Sequence, residues 1–180
     1  MPGPAAPDLD VAHYFALLAN AADFMIDRLD AHMVFVPLER RHLDLQHSHA
    51  VVAEIKGAER ASVLKGEYTP RQMITLIQQF QLAVGMRLHF LIFAALGCVP
   101  LVALPYASKV HGLLEALEMP TPPLRDVNSG RLIAAIDRAW DLRGRIREQI
   151  EQRLPALQEK ARQSHRLLMR LLTKQVAAHG

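Results

Sequence analysis

Val84-Gly85-Met86-Arg87-Leu88-His89 runs on through Leu91-Ile92-Phe93-Ala94-Ala95 to Val99-Pro100-Leu101-Val102-Ala103-Leu104-Pro105-Tyr106 and Lys109. The stretch reads as an apolar strand over 82–86, a turn carrying an arginine and a histidine, and an apolar helix over 88–97. A second strand over 100–104 then leads to a lysine at the start of another helix, which begins at Ser108 and buries Val110, Leu113, Leu114 and Leu117. Two strand-to-helix crossings in succession, joined by short connections, are the unit of a parallel sheet.

Working outward, the same alternation continues. Upstream, Val11, Tyr14, Phe15, Leu18, Ala22, Met25 and Leu29 recur at helical spacing, with Asp10 as a cap. Met33 to Leu38 is a near-continuous apolar run, the pattern of a strand buried on both faces. Glu39 to His49 is charged and His-rich and reads as a loop, after which Ser48 caps a helix carrying Val51, Val52 and Ile55. Ala61 to Leu64 is a short strand, and Thr69-Pro70 is a helix start, a capping hydroxyl followed by proline at the first helical position. Met73, Ile74, Ile77 and Phe80 form that helix's buried stripe.

Downstream, the proline-dense Pro120–Pro123 leads to a short strand at Leu124–Val127, and Ser129 caps a helix bearing Leu132, Ile133, Ile136 and Trp140. Ile146, Ile150, Leu154, Leu157, Ala161, Leu168 and Leu171 draw a long amphipathic stripe in which Pro155 predicts a kink or a break. The reading is an α/β, Rossmann-like parallel sheet with helices on both faces. It divides into a flexible segment at 1–9, one domain over 10–142 and a helical extension over 143–180.

Composition narrows the function. Of the 180 residues 51% are hydrophobic and 22% charged, which excludes a disordered chain. The formal charge of +3 is too mild to argue for nucleic acid. The excess is concentrated from Asp141 onward, where nine Lys/Arg face four Asp/Glu, so the C-terminal stripe has a basic outer face that can lie on an anionic membrane or pack on a neighbouring domain. The single cysteine, Cys98, supports neither a disulfide framework nor a thiolate metal site and fits a reducing compartment. The start has no basic flank and no signal core. The apolar runs near 90–104 are broken by Gly97 and Pro100 and too short to span a bilayer. The expectation is a cytoplasmic chain, able to sit at the inner membrane surface.

In parallel α/β sheets ligands bind outside the carboxyl ends of the strands. Arg87, His89, Tyr106 and Lys109 all fall there. A helix N-terminus attracts anions, a guanidinium adds bidentate recognition of phosphate or carboxylate, and a histidine can give or take a proton near neutrality. Taken singly, such an arginine is often a salt-bridge partner, such a histidine a satisfied core residue and such a lysine solvated. Their joint placement describes a pocket for a small, highly charged anion. Glu39 and Asp44, after the first strand, lie at the same edge and can hold a sugar hydroxyl or act as a base. His42, His47 and His49 fit no common zinc spacing, and no metal site is expected. No Gly-rich phosphate loop or Ser-His-Asp order is present.

The Gly85-Met86-Arg87-Leu88-His89 block, with the following helix and the Val99–Tyr106 strand and Lys109-Val110, resembles the polysaccharide pyruvyl transferase family over roughly residues 10–120. Val34-Phe35-Val36-Pro37, Asp44 and Gly66-Glu67-Tyr68-Thr69-Pro70 agree with it in order. The resemblance is to the C-terminal, donor-binding half, and implies a fold similar to the C-terminal domain of a B-type glycosyltransferase. It implies phosphoenolpyruvate as donor, with no further cofactor, and transfer of its three carbons as a pyruvate ketal to two hydroxyls of a saccharide acceptor. That acceptor is the precursor of a cell-surface polysaccharide and can be lipid-linked. Arg87 and His89 then form the catalytic pair, and Arg87, Leu88, His89, Tyr106, Lys109 and Glu39 the substrate-binding set. The family's earlier half, with a Gly-rich start, helps form the acceptor side of the cleft; here an N-terminal domain or partner chain is expected to supply it. Two other readings stay open. One is the C-terminal half of a nucleotide-sugar glycosyltransferase. The other is a non-catalytic binding or interaction module that docks through its basic C-terminal helix.

Overall fold

The computed structural model describes residues 11–39, 43–104, 108–120 and 128–178. The order is α1 (Val11–Leu29), β1 (Met33–Phe35), α2 (Leu43–Glu54), a 3-10 turn (Ala58–Arg60), β2 (Ala61–Val63), α3 (Pro70–Ile77), β3 (Ala83–Gly85), α4 (Leu88–Leu96), β4 (Leu101–Ala103), α5 (Ser108–Ala116), α6 (Ser129–Asp141) and α7 (Arg143–Ala178). The α/β reading with parallel strands holds. Among the described residues the strands form two parallel pairs, β1 with β2 and β3 with β4.

Period-two alternation places helices on both faces. In β4, Leu101 and Ala103 join a core with Ile77 of α3, Leu91 of α4 and Leu114 of α5, whereas Val102 and Leu104 join Leu17 and Met25 of α1 and Ile136 of α6. β4 is therefore buried throughout. A third cluster seals α1 to α2 through Ala22, Ile26, Val51 and Ile55.

Thr69 accepts from the Gln72 N–H while the Gln72 side chain accepts from the Thr69 N–H, a complete capping box ahead of Pro70. α4 and α5 close differently, each on a left-handed residue that is not glycine, Cys98 (φ 53°) and Glu118 (φ 54°). The Val99 N–H reaches back to the Ala94 carbonyl at 2.9 Å and the Met119 N–H to that of Leu114 at 2.8 Å, the wrapped-back pattern of a Schellman end.

Four local expectations are corrected. Strand β1 stops at Phe35, because Pro37 has no N–H to continue the ladder, and Val34 points outward rather than being buried. Glu39–His49 is not all loop: α2 begins at Leu43, and Ser48 lies inside it, its hydroxyl donating to the Asp44 carbonyl instead of capping. The cap of α6 is Asn128, whose side chain accepts from the Arg131 N–H, one residue before Ser129. Pro155 does not split α7. Both it and Glu151, the residue whose carbonyl loses its partner, are exposed, so water can take the missing donor's place. The cap at Asp10 and the strand at Leu124–Val127 lie outside the described residues.

The N-terminal half of α7 is anchored: the Gln149 amide donates to the carbonyls of Leu117 and Glu118, Arg153 pairs with Glu118, and Ile150 is fully buried. From Ala161 to Arg170 every residue is exposed. No helix among the described residues is long and apolar enough to cross a membrane.

At the end of α1 the Arg60 guanidinium, by hydrogen bond and then by charge, holds the Asp30 carboxyl below its usual range. A depressed carboxylate stabilises the fold above its unfolded pKa of about 3.9 and loses that contribution as pH falls through the folded value. Arg60→Ala is expected to return the Asp30 pKa toward the ordinary carboxylate value in an NMR titration. An unmoved Asp30 would refute the pairing.

Candidate functional site

The carboxyl ends of β1 and β3 open on one side of the molecule. After β1 come Pro37, Leu38 and Glu39, with α2 presenting Asp44 in its first turn. After β3 come Arg87, Leu88 and His89, which begin α4. The turn between β3 and α4 is tight because Gly85 sits under the Phe90 ring, leaving no room for a Cβ. The chain from Leu64 through Gly66 and Tyr68 to Pro70 forms another wall. Gly66 has φ +102°, a conformation natural to glycine, and the Tyr68 hydroxyl donates to the Lys65 carbonyl at 2.9 Å.

These segments enclose a cavity of about 690 Å³. Arg87, Leu88, His89, Glu39 and Lys109 all line it, so the structure brings together five of the six residues read from sequence as substrate-binding. Tyr106 lies outside the described residues. Asp44, Glu67, Tyr68, Met73 and Phe93 also line it. Of these, Tyr68 and Met73 had a usable signal, a glycine turn and a capped helix start immediately before and after them, but neither was read as part of a site.

Arg87 is engaged. Its Nη2 is paired with Asp44, whose side chain is only 13% exposed, and lies 3.7 Å from the half-exposed Glu39 carboxylate. The Glu39 N–H donates to the other Asp44 oxygen at 3.2 Å, so Asp44 ties the two rims together. The salt-bridge role that sequence holds open for an arginine at this position is realised, by a partly buried and an exposed partner of unequal strength. Exposed pairs at such a distance contribute little, so Asp44 fixes the guanidinium while Glu39 is the partner an incoming anion can displace.

Arg87 is also the N-cap residue of α4, and its side chain makes no capping hydrogen bond. Among the described residues the first-turn N–H groups of α4 thus have no capping side chain at the end carrying the positive pole of the helix. His89, in that turn, and Lys109, near the start of α5, are both exposed on the cavity. His47 and His49 lie on α2 rather than in a loop, and the His47 ring meets the edge of Phe15 with centroids 5.1 Å apart. Among the described residues no group of three metal-ligating side chains comes together. Cys98 stands apart from the cavity, its thiol pushed up chiefly by burial and then by Glu151.

No curated protein and no solved structure is matched by the chain. The family described as polysaccharide pyruvyl transferase matches residues 1–108, which take in both strand pairs, the β3–α4 turn and every described residue of the cavity lining except Lys109. A match over more than half of the 180 residues, coinciding with the cavity-forming part of the fold, places the chain in the polysaccharide pyruvyl transferase family.

Proposed function

We propose that the cavity at the strand ends binds phosphoenolpyruvate and that the chain is the donor-binding part, 10–142, of an enzyme that sets pyruvate as a ketal on a saccharide of a cell-surface polysaccharide. The observation that carries this reading is the convergence of Arg87, His89, Lys109 and the uncapped start of α4 on one 690 Å³ cavity. The donor carries a phosphate and a carboxylate. One anionic group displaces Glu39 from Arg87 and takes the guanidinium, the α4 N–H groups support it, and Lys109 faces the other. Glu39, released, accepts a hydroxyl of the sugar. Tyr106 is proposed as a further substrate-binding residue.

The chemistry needs proton transfer more than covalent help. Two sugar hydroxyls add to the central carbon of the donor and lose their protons. One proton ends on the methylene carbon, which becomes the methyl group, and the other leaves with phosphate as its C–O bond breaks. In this reading His89 takes the first proton from a hydroxyl and relays it, while Arg87 and the helix end offset charge on the departing phosphate. Acceptor binding draws on an N-terminal domain or partner chain.

Calorimetric titration with phosphoenolpyruvate, with a nucleoside diphosphate sugar as comparison, tests the reading. Saturable binding of phosphoenolpyruvate alone is expected. His89→Gln is expected to retain that binding within a few fold while lowering pyruvyl transfer, measured with whatever supplies the acceptor side, by about 10²-fold or more. Preference for the sugar nucleotide would overturn the donor assignment in favour of a glycosyltransferase half.

A further inference from the structure

Ile150, fully buried, and Leu157, half-buried against the core of α3, α4 and α5, lie on one stripe of α7. Ala161 and Leu168 prolong that stripe, about one and three turns beyond Leu157. The core does not follow it, for every residue from Ala161 to Arg170 is exposed. Six large apolar side chains are exposed among the described residues, and three of them are consecutive here: Leu167, Leu168 and Met169, each at least 50% exposed. Apolar residues exposed one at a time are ordinary. A cluster that continues a core stripe past the body it packs on is a face made to be covered.

The rest of this stretch is basic. Arg162, Arg166 and Arg170 recur every four residues, and Lys160 precedes them. Arg166 and Arg170 fall nearly opposite Leu168, while Lys160 and Arg162 lie nearer its flanks. Between 159 and 170 the one carboxylate is Glu159, which pairs with Arg162 at 3.5 Å and with Arg166. An apolar stripe beside a surplus of positive charge is the composition of a helix that lies in the plane of an anionic membrane surface.

We infer that the exposed stretch of α7 docks on a bilayer carrying anionic lipid. Leu167, Leu168 and Met169 enter the headgroup boundary, and the lysine and arginines meet the lipid phosphates. The helix lies on the bilayer and does not cross it, since no described helix is long and apolar enough to span one. Charge selects this occupant. A second copy, paired in either direction, would set four cations against four, with a single Glu159 on each side to offset them. An anionic bilayer complements both faces at once. The inference is independent of what the strand-end cavity binds.

Co-sedimentation of the whole chain with sucrose-loaded vesicles tests it. One set is phosphatidylcholine alone, and the other has a third of its lipid replaced by phosphatidylglycerol. Binding to the anionic set is expected, with little to the neutral set, and it should weaken in molar salt, where the screening length is about 3 Å. Lys160→Gln with Arg170→Gln, the two cations outside the Glu159 pairs, is expected to lower affinity about fivefold per charge. Leu167→Ser with Leu168→Ser leaves the charge unchanged and is expected to lower it tenfold or more. All four positions are exposed, so both variants should melt with the native chain. Equal binding to the two vesicle sets overturns the anionic surface, and binding that survives both double substitutions overturns α7 as the contact. No pelleting with either set overturns the lipid and leaves the face to a protein neighbour. A lipid-free dimer that the two serines split into monomers assigns the face to a second copy instead.

Discussion

Replacing Arg87 by alanine is expected to weaken phosphoenolpyruvate binding about a hundredfold while the chain stays folded. Two charge-assisted hydrogen bonds from a guanidinium contribute about 1.5 kcal/mol each at the lower end of their range, and together that is about two decades of affinity. The substitution also deprives Asp44 of its partner, and with a side chain only 13% exposed that carboxylate is not fully rescued by water. A stability loss of about 1 kcal/mol, or roughly 2–4 °C in Tm, follows. Arg87→Lys keeps the charge without the planar fork and should fall between the two. Titration calorimetry and thermal melts on the three proteins check this. An unchanged affinity in Arg87→Ala removes the residue from the donor site, and a protein that no longer folds makes it a structural residue first.

Gly85→Ala is expected to cost about 1–3 kcal/mol, roughly 3–10 °C in Tm, and to disturb the site as well. A methyl group at Gly85 falls 2.5 Å from Cδ1 and 2.9 Å from Cε1 of Phe90. The strand cannot retreat easily, since Gly85 is in register with Ala103 of β4 and its carbonyl accepts the Leu104 N–H at 2.8 Å. The ring packs against the core cluster formed by α3, α4 and α5. Relief must therefore come from moving the first turn of α4, the turn that carries Arg87 and His89. Phe90→Leu introduced beside Gly85→Ala should recover part of both losses, because the conflict is with the ring. A melting temperature equal to the native one in Gly85→Ala would show that the close approach is not a constraint.

Where local chemistry decides, the sequence is a good guide. Thr69-Pro70 starts a helix because the hydroxyl and the missing N–H act within four residues. The alternation in Leu101–Leu104 is that of a strand with two buried faces, and β4 has them. Arg87, His89 and Lys109 share a cavity because short crossings leave little choice about where strand ends lie. What long-range packing decides was not legible. The run from Leu43 to Glu54 is rich in charge and histidine, yet it becomes helix because it lies along α1, with the His47 ring against Phe15. The ends of α4 and α5 do not put glycine where the left-handed turn needs it: Gly97 is the C-cap of α4 with negative φ, and Cys98 and Glu118 take the left-handed position. The pairing of Arg87 with Asp44 joins residues 43 apart, and only the fold could choose that partner for an arginine that sequence reads equally as ligand or salt bridge.

The unbroken run of α7 bears on how large the molecule looks in solution. At 1.5 Å per residue its 36 residues extend about 54 Å. A compact chain of this length has a radius of gyration of about 16 Å, which corresponds to a body roughly 40 Å across. The stretch from Ala161 to Arg170, exposed throughout, thus stands out from such a body, so a monomer will elute from a sizing column as a heavier, rounder particle would. Counting copies of this chain therefore calls for light scattering or sedimentation, which weigh the particle and do not infer its mass from its drag.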